Sequence, residues 1–351
     1  MHNTMRTTFW QHRNVLVTGA TGLLGPHLIQ ELLANNARIV ALVRDFVPDS
    51  SFFTNNLDRA VTVVHGDLLD SDLIARCLNE FDIDTVFHLG AQAIVGYANR
   101  SPIATFRSNI EGTWKLLEAC RLSPWVKHII VASSDKAYGS HEILPYTEDA
   151  PLQGRHPYDV SKSCADLIAQ SYFHTYKLPV CITRCGNFFG PGDLHLNRIV
   201  PGTIRSLINH QAPVIRSNGL FVRDYIYVKD VADAYMTLAE KMAPLQLFGH
   251  SFNFSTDEPF TVIEIVQHIT KLMGITIDPI IENRATNEIP AQHLSSHKAR
   301  TLLGWQPAYG VQKGLVEAIA WYKEYFRQDL HEKNLNFSSL LQREQEHSRT
   351  A

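Results

Sequence analysis

Asn14-Val-Leu-Val-Thr-Gly-Ala-Thr-Gly-Leu-Leu-Gly25 decides the fold. Asn14 to Thr18 reads as a buried strand, Gly22 to Ala34 as a helix, and glycines at 19, 22 and 25 mark the turn between them. Glycines at this spacing permit a tight turn. They also let a pyrophosphate approach the helix N-terminus, where backbone N–H groups without partners favour an anion. Pro26 fits the reading, because the first helical turn has N–H groups to spare. Gly19, Thr21, Gly22, Leu23, Leu24 and Gly25 are therefore candidate contacts to a dinucleotide.

Further along the chain, apolar β-type runs recur at Arg38–Val43, Val61–His65, Thr85–Leu89, Val126–Ala132 and Val180–Arg184. Helical stretches separate them, the clearest spanning Ser101–Cys120 and Pro157–Tyr176. Strands alternating with helices predict an α/β fold: a Rossmann-type, doubly wound parallel sheet covered on both faces. The expected organisation is a nucleotide-binding domain over 12–189, with returning segments near 224–256. A smaller, mixed C-terminal part for substrate is expected over 190–223 and 257–330, then a polar tail over 331–351. Beyond the glycine loop, Asp67 and Leu68 after the third strand, and Leu89, Ala91 and Gln92 after the fourth, are candidate cofactor contacts. Arg44, at the end of the second strand, suits the extra phosphate of NADP, and the reading leans that way. Its neighbour Asp45 leaves NAD open.

Composition narrows the partners. The chain has 351 residues, 45% hydrophobic and 19% charged, as in ordinary globular enzymes. A net charge of -3 gives no reason to expect nucleic acid or an anionic membrane. No apolar run is long enough to span a bilayer, and Met1 to Trp10 lacks the apolar core of a signal peptide. Five cysteines without metal spacing suit reduced thiols in the cytoplasm, and no metal site is expected.

The chemistry concentrates in Ser133-Ser-Asp-Lys-Ala-Tyr-Gly139 and Tyr158-Asp-Val-Ser-Lys162. A Tyr four residues before a Lys on a helix shares its face. There an ammonium can lower the phenol's pKa and hold a ribose. Ser134, Asp135 and Lys136 follow a strand at its C-terminal end, the edge where open α/β sheets bind ligands. A hydroxyl, a carboxyl and an amine exceed what a plain alcohol oxidation needs.

These residues resemble the extended short-chain dehydrogenase/reductase family that acts on nucleotide sugars. The resemblance covers roughly residues 12–325 and rests on motifs in the family's order. They are the glycine loop, His88-Leu-Gly-Ala-Gln92, Tyr158/Lys162, Arg184-Cys-Gly-Asn187, Arg223-Asp-Tyr-Ile-Tyr-Val-Lys-Asp230 and Leu303-Gly-Trp-Gln-Pro307. Within it the chain looks most like the 4,6-dehydratases, particularly the CDP-glucose branch, whose Thr-Asp-Lys Ser134-Asp135-Lys136 resembles. The implied reaction oxidises carbon 4 of an NDP-hexose, eliminates water across carbons 5 and 6, and reduces carbon 6. It implies Tyr158 as base at the 4-hydroxyl, with Ser134 on the same oxygen and Lys162 keeping Tyr158 ionised. Lys136 would take the proton from carbon 5, and Asp135 would protonate the leaving 6-hydroxyl. These roles demand a neutral Lys136, through desolvation or nearby cations such as Lys162, and a protonated Asp135, which burial would favour. Arg223, Asn187, Arg198 and Glu288 are candidate contacts to the nucleotide sugar, with Asn109 a weaker candidate. A homodimer is implied through the helices around Ser101–Cys120 and Pro157–Tyr176. A 4-epimerase or reductase of the same fold, and a non-catalytic nucleotide-binding protein, remain the alternatives.

Overall fold

The computed structural model describes residues 6, 8–284 and 288–327, so the expected tail over 331–351 lies outside the described residues. In chain order the strands are β1 (Asn14–Thr18), β2 (Arg38–Val43), β3 (Thr62–His65), β4 (Thr85–His88), β5 (His128–Ala132) and β6 (Val180–Cys185). They continue with β7 (Asn187–Phe189), β8 (Val214–Ile215), β9 (Val222–Tyr227), β10 (Ser251–Phe254), β11 (Pro259–Thr261) and β12 (Ile280–Ile281).

The central sheet has seven strands in the order β3-β2-β1-β4-β5-β6-β10, every pair parallel. Its strands read as continuous apolar runs because both faces are covered. Val15, Val17, Ile39, Ala41, Phe87 and Ile130 face one core, shared with Leu28 and Leu32 of the helix Leu24–Ala34 and with the helix Val228–Met242. The alternate residues Leu16, Val40, Leu42, Val86, Ile129 and Val131 face the other. There they meet Ile74 and Leu78, Leu116 and Leu117, and Ala169 from the helices Ser71–Glu80, Gly112–Leu122 and Pro157–Tyr176. Residues alternate sides along a strand, so one unbroken hydrophobic run feeds two cores. The order reverses direction between β1 and β4, which opens a crevice beyond their C-terminal ends.

The second part of the chain builds a three-stranded sheet, β11-β9-β7, and a parallel pair, β12 with β8. The return to the central sheet expected at Asp224–Asp230 is made differently. β9 pairs with β7 and β11, and only the helix after it packs on the large sheet, while β10 supplies the edge strand. The single helix expected over Ser101–Cys120 is also interrupted. Pro102–Phe106 runs into a π-helical turn at Arg107–Glu111 before Gly112–Leu122. Such turns often mark functional positions, and this one carries Asn109 inward. No helix among the described residues is long and apolar enough to cross a membrane.

Candidate active site

The glycine loop closes over the crevice as a fitted piece. Gly19 has φ +73°, and a Cβ there would stand 2.8 Å from the backbone nitrogen of Gly90. At Gly25 a Cβ would come within 2.5 Å of the Gly19 carbonyl oxygen and 2.7 Å of Ala20 Cα. The turn thus leaves a cradle of bare backbone at the start of the helix Leu24–Ala34, and these residues fit a dinucleotide. Thr21, Gly22 and Leu23 are at least partly exposed at this mouth, and Leu24 is buried beneath it.

A buried relay ties the loop to β4. Thr18 Oγ1 lies 2.9 Å from His88 Nδ1, and the Gly90 N–H donates to the same hydroxyl at 3.0 Å. His88 Nε2 stands 3.0 Å from Thr113 Oγ1, which donates to the Asn109 carbonyl at 2.6 Å. This pattern assigns the proton to Nε2 and leaves Nδ1 to accept from Thr18. Burial, aided by the charge of Lys162, pushes His88 down to about 3, so it stays neutral.

Asn109 does more than bond within its own helix. Its amide accepts from the Gln92 N–H at 2.7 Å, donates to the Gln92 carbonyl at 3.0 Å and donates to Ser161 Oγ at 2.9 Å. It therefore joins the half-buried segment Leu89–Gln92 to the helix that carries Tyr158 and Lys162. Leu68 is buried against Gly90 and Gly112. Asp67 accepts from the Leu69 N–H at 3.0 Å and so shapes the turn before the helix Ser71–Glu80, whose cap is Asp70. Arg44 lies exposed and paired with Asp45 at 2.7 Å.

Ser134, Asp135 and Lys136 follow β5 at its C-terminal end, as the sequence predicts, on a short 3-10 turn. Ser134 Oγ accepts from the Lys136 N–H at 3.2 Å and donates to Asp135 Oδ1 at 3.0 Å. Its hydroxyl also meets Tyr158. Asp135 is 1% exposed, and its other oxygen receives Lys136 Nζ at 3.3 Å. Tyr158 and Lys162 are both buried on one face of the helix Pro157–Tyr176. That helix is anchored to β6 by a buried fork: Arg184 donates to Asp166 at 2.8 and 2.9 Å.

One electrostatic expectation is corrected. Burial holds the Tyr158 phenol up at about 12, and the relief comes first from the Ser134 hydrogen bond and then from the charge of Arg198. Lys162 is itself desolvated, pushed down to about 8, and donates to the Ala132 carbonyl at 2.7 Å. An amine turned to a backbone carbonyl is not among the groups that lower this phenol.

The substrate candidates sit on separate elements, each with its own partners. The buried Arg223 guanidinium donates to the carbonyls of Val222 and Pro290 at 2.9 and 3.3 Å and pairs with Glu288 at 3.3 Å. Arg198 bonds both oxygens of Asp193 at 3.0 Å. Asn187 is half-buried on β7, opposite Tyr225. Glu288 also helps line a cavity of about 170 Å³ with Gly139, Arg155, His156 and Asp159.

Two buried groups escaped sequence reasoning. Gln292 is fully buried against Lys136, and Asp224 is fully buried where Ser255 Oγ and the Leu294 N–H donate to its Oδ2. Neither carries a local signature. Only the Arg223-Asp-Tyr run pointed near one of them.

The chain is similar to known proteins over most of its length. Residues 15–253 match the model of the NAD dependent epimerase/dehydratase family. CDP-glucose 4,6-dehydratase of Salmonella typhimurium is 30% identical over 335 residues, covering 91% of this chain and 93% of that protein. Other relatives are about twice as long, so the chain spans 48% of their length. The structure of dTDP-glucose 4,6-dehydratase from Bacillus anthracis in complex with NAD aligns with TM-score 0.80 at 26% identity, over 89% of this chain and 97% of that one. UDP-glucose 4-epimerase of Thermotoga maritima, with UDP-glucose, aligns with TM-score 0.82 at 26% identity, over 89% and 99%. With the matched residues running from β1 through β10, the chain belongs to the NAD dependent epimerase/dehydratase family.

Proposed function

We propose that the protein is a nucleotide-sugar 4,6-dehydratase, converting an NDP-hexose to the NDP-4-keto-6-deoxyhexose. The observation that carries the reading is the Ser134-Asp135-Lys136 turn, which hydrogen-bonds the Tyr158 hydroxyl through Ser134, sets the buried Asp135 carboxyl near it, and pairs that carboxyl with the Lys136 amine. A plain epimerase needs only the Tyr/Lys pair and Ser134. An elimination needs a second acid and a second base, and the turn supplies both.

The glycine loop with Leu68, Leu89, Ala91 and Gln92 would hold the nicotinamide dinucleotide, which supplies a reversible hydride acceptor. Tyr158 takes the 4-hydroxyl proton while Ser134 hydrogen-bonds that oxygen. With the 4-ketone formed, the hydrogen on carbon 5 becomes acidic. Lys136 removes it, and Asp135 passes a proton to the departing 6-hydroxyl. Arg223 and Arg198, with Asn187, bind the diphosphate. Their present partners, Glu288 and Asp193, keep the guanidiniums in place until the phosphates arrive.

Cofactor choice rests on Arg44 and Asp45. Their mutual ion pair leaves Arg44 less free for the 2′-phosphate of NADP than the sequence alone suggested, and the family name favours NAD. A homodimer is supported by apolar side chains exposed along two helices: Trp114 and Leu122 on one, Leu167 and Tyr176 on the other. Five free cysteines favour the cytoplasm.

The test is mass spectrometry of purified protein incubated with CDP-, GDP-, UDP- and dTDP-glucose without added reductant. Loss of one water with no net cofactor consumption is expected for one of them. A rearranged sugar of unchanged mass would mean epimerisation and overturn the proposal. Chromatography of the dinucleotide released on denaturation decides between NAD and NADP.

A further inference from the structure

Lys136 has one partner that its own turn does not supply. Gln292 Oε1 accepts from Lys136 Nζ across 156 residues of chain. The segment around Gln292 is pinned on both sides. Val222 donates to Pro290 at 2.9 Å, Gln292 donates back to Val222 at 3.1 Å, and Tyr146 donates to the His293 carbonyl at 2.9 Å. Leu294 donates to Asp224 Oδ2 at 3.0 Å. The side chain is fully buried, and its direction leaves no choice of amide orientation. Nε2 faces two carbonyls, Gly139 at 3.3 Å and Asp135 at 3.5 Å, so Oε1 must turn to Lys136.

Counting donors shows what this achieves. Among the described residues, Lys136 Nζ has two acceptors, Gln292 Oε1 and Asp135 Oδ2. An ammonium has three N–H donors, so the third would have to turn to solvent, to which the Lys136 side chain is 18% exposed. A neutral amine has two, which the two acceptors match, and its lone pair is left pointing away from both. Among the described residues, the groups that face Lys136 are Asp135 on its own turn, Asp159 on the helix Pro157–Tyr176 and Gln292. Two of the three are carboxyls. A third carboxylate at 292 would favour the ammonium, and an uncharged amide supplies the acceptor without that charge.

We propose that Gln292 is a positioning residue that aims the Lys136 lone pair at the substrate and, by being neutral, keeps that amine able to give up its proton. The proposal rests on Lys136 acting as the carbon-5 base, and it names a determinant of that step some 150 positions away in sequence.

The experiment uses the whole enzyme and whichever of CDP-, GDP-, UDP- or dTDP-glucose loses water in the panel above. Steady-state rates are taken from pH 6 to 9.5, and carbon-5 exchange is read by mass spectrometry in D₂O. Gln292→Met, isosteric but without the acceptor, is expected to lower kcat about 10- to 100-fold with KM changed less than about threefold. Gln292→Glu is expected to move the acidic limb of the kcat profile upward by about one pH unit and to recover activity toward pH 9. Lys136→Ala serves as the reference and should abolish carbon-5 exchange.

If Lys136→Ala loses exchange while both Gln292 variants keep the wild-type rate and profile, the positioning role is wrong and the dehydratase reading stands. If Lys136→Ala retains exchange, or no sugar loses water, the base assignment fails and this inference falls with it. Should Gln292→Met fold poorly, the pH shift of Gln292→Glu alone decides. A uniform loss at every pH would reflect structure only and refute the proposal.

Discussion

Asp224→Asn should stabilise this protein by an amount that grows with pH. Asp224 is fully buried on β9. Its Oδ2 accepts from Ser255 Oγ and from the Leu294 N–H, while Oδ1 has no partner among the described residues. Burial raises this carboxyl from 3.8 to about 7, against the two hydrogen bonds, and the charges of Asp135 and Asp257 push the same way. A carboxyl whose folded value lies above its unfolded value stabilises the fold below the unfolded pKa, and loses that stability as pH rises through the window between the two. Relative to an uncharged group, the penalty at pH 5 is about 1.7 kcal/mol and at pH 8 about 4.3 kcal/mol, taking 3.8 and about 7 as the two values. The advantage of the asparagine, whose oxygen can accept both present bonds, should therefore widen by about 2.5 kcal/mol from pH 5 to pH 8. A folded value one unit lower or higher gives roughly 1.5 or 3.5 kcal/mol. Urea denaturation at pH 5, 6.5 and 8, on protein of matched dinucleotide content, measures the difference directly. Parallel stability-versus-pH curves for the two proteins would refute the reasoning, because they would mean that Asp224 is charged in the native state throughout.

Three other perturbations test separate parts of the argument. Gly25→Ala forces a Cβ to within 2.5 Å of the Gly19 carbonyl oxygen, so purified protein should carry little dinucleotide and be less stable by about 1–3 kcal/mol, read by the released cofactor and by thermal melting. His88→Gln removes a histidine kept neutral down to about 3, so the wild type should lose about 2 kcal/mol more than the variant between pH 7 and pH 5, where the unfolded chain gains a proton and the folded one does not. Equal slopes in chemical denaturation would count against a buried neutral His88. Asp166→Asn leaves the Arg184 guanidinium buried with half its partner gone; about 3–5 kcal/mol of stability should disappear, with a loss under about 1 kcal/mol sinking the claim that this pair anchors the Tyr158 helix.

The parts of this molecule that read well from sequence are those whose chemistry is local. The glycine loop, the apolar runs of β1 to β6 and the Tyr158/Lys162 spacing each fit within a few residues, and a strand buried on both faces announces itself by an unbroken hydrophobic run. The π-helical turn at Arg107–Glu111 was not legible, because Arg107 to Glu111 differ little in composition from an ordinary helix, and the turn is held by what Asn109 reaches outside it. Asn109 itself read only as a weaker candidate for the nucleotide sugar, and only the fold puts Gln92 and Ser161 within its reach. Gln292 is the extreme case. No pattern in Pro290-Ala-Gln-His-Leu294 marks it, and its meaning appears once β9 and Tyr146 pin that segment over the Ser134 turn.

The same burial that hides these partners also sets the chemistry of the site. Desolvation works on the phenol of Tyr158, the amine of Lys162 and the carboxyl of Asp224 in the one direction it has, toward the uncharged form. The sequence suggested an ammonium beside a phenolate, a charged pair formed in advance. Burial instead weakens the charged forms of Tyr158 and Lys162, while permanent positive charge sits on the guanidiniums of Arg198 and Arg223, which do not deprotonate. That division suits a substrate that is anionic at one end and an uncharged hexose at the other. In the proposed reading the diphosphate would meet permanent charge, while the sugar would meet the Tyr158 hydroxyl and the Asp135–Lys136 pair. Arg198, the proposed diphosphate contact, also lowers the Tyr158 phenol, so in that reading the two ends of the site are electrostatically joined.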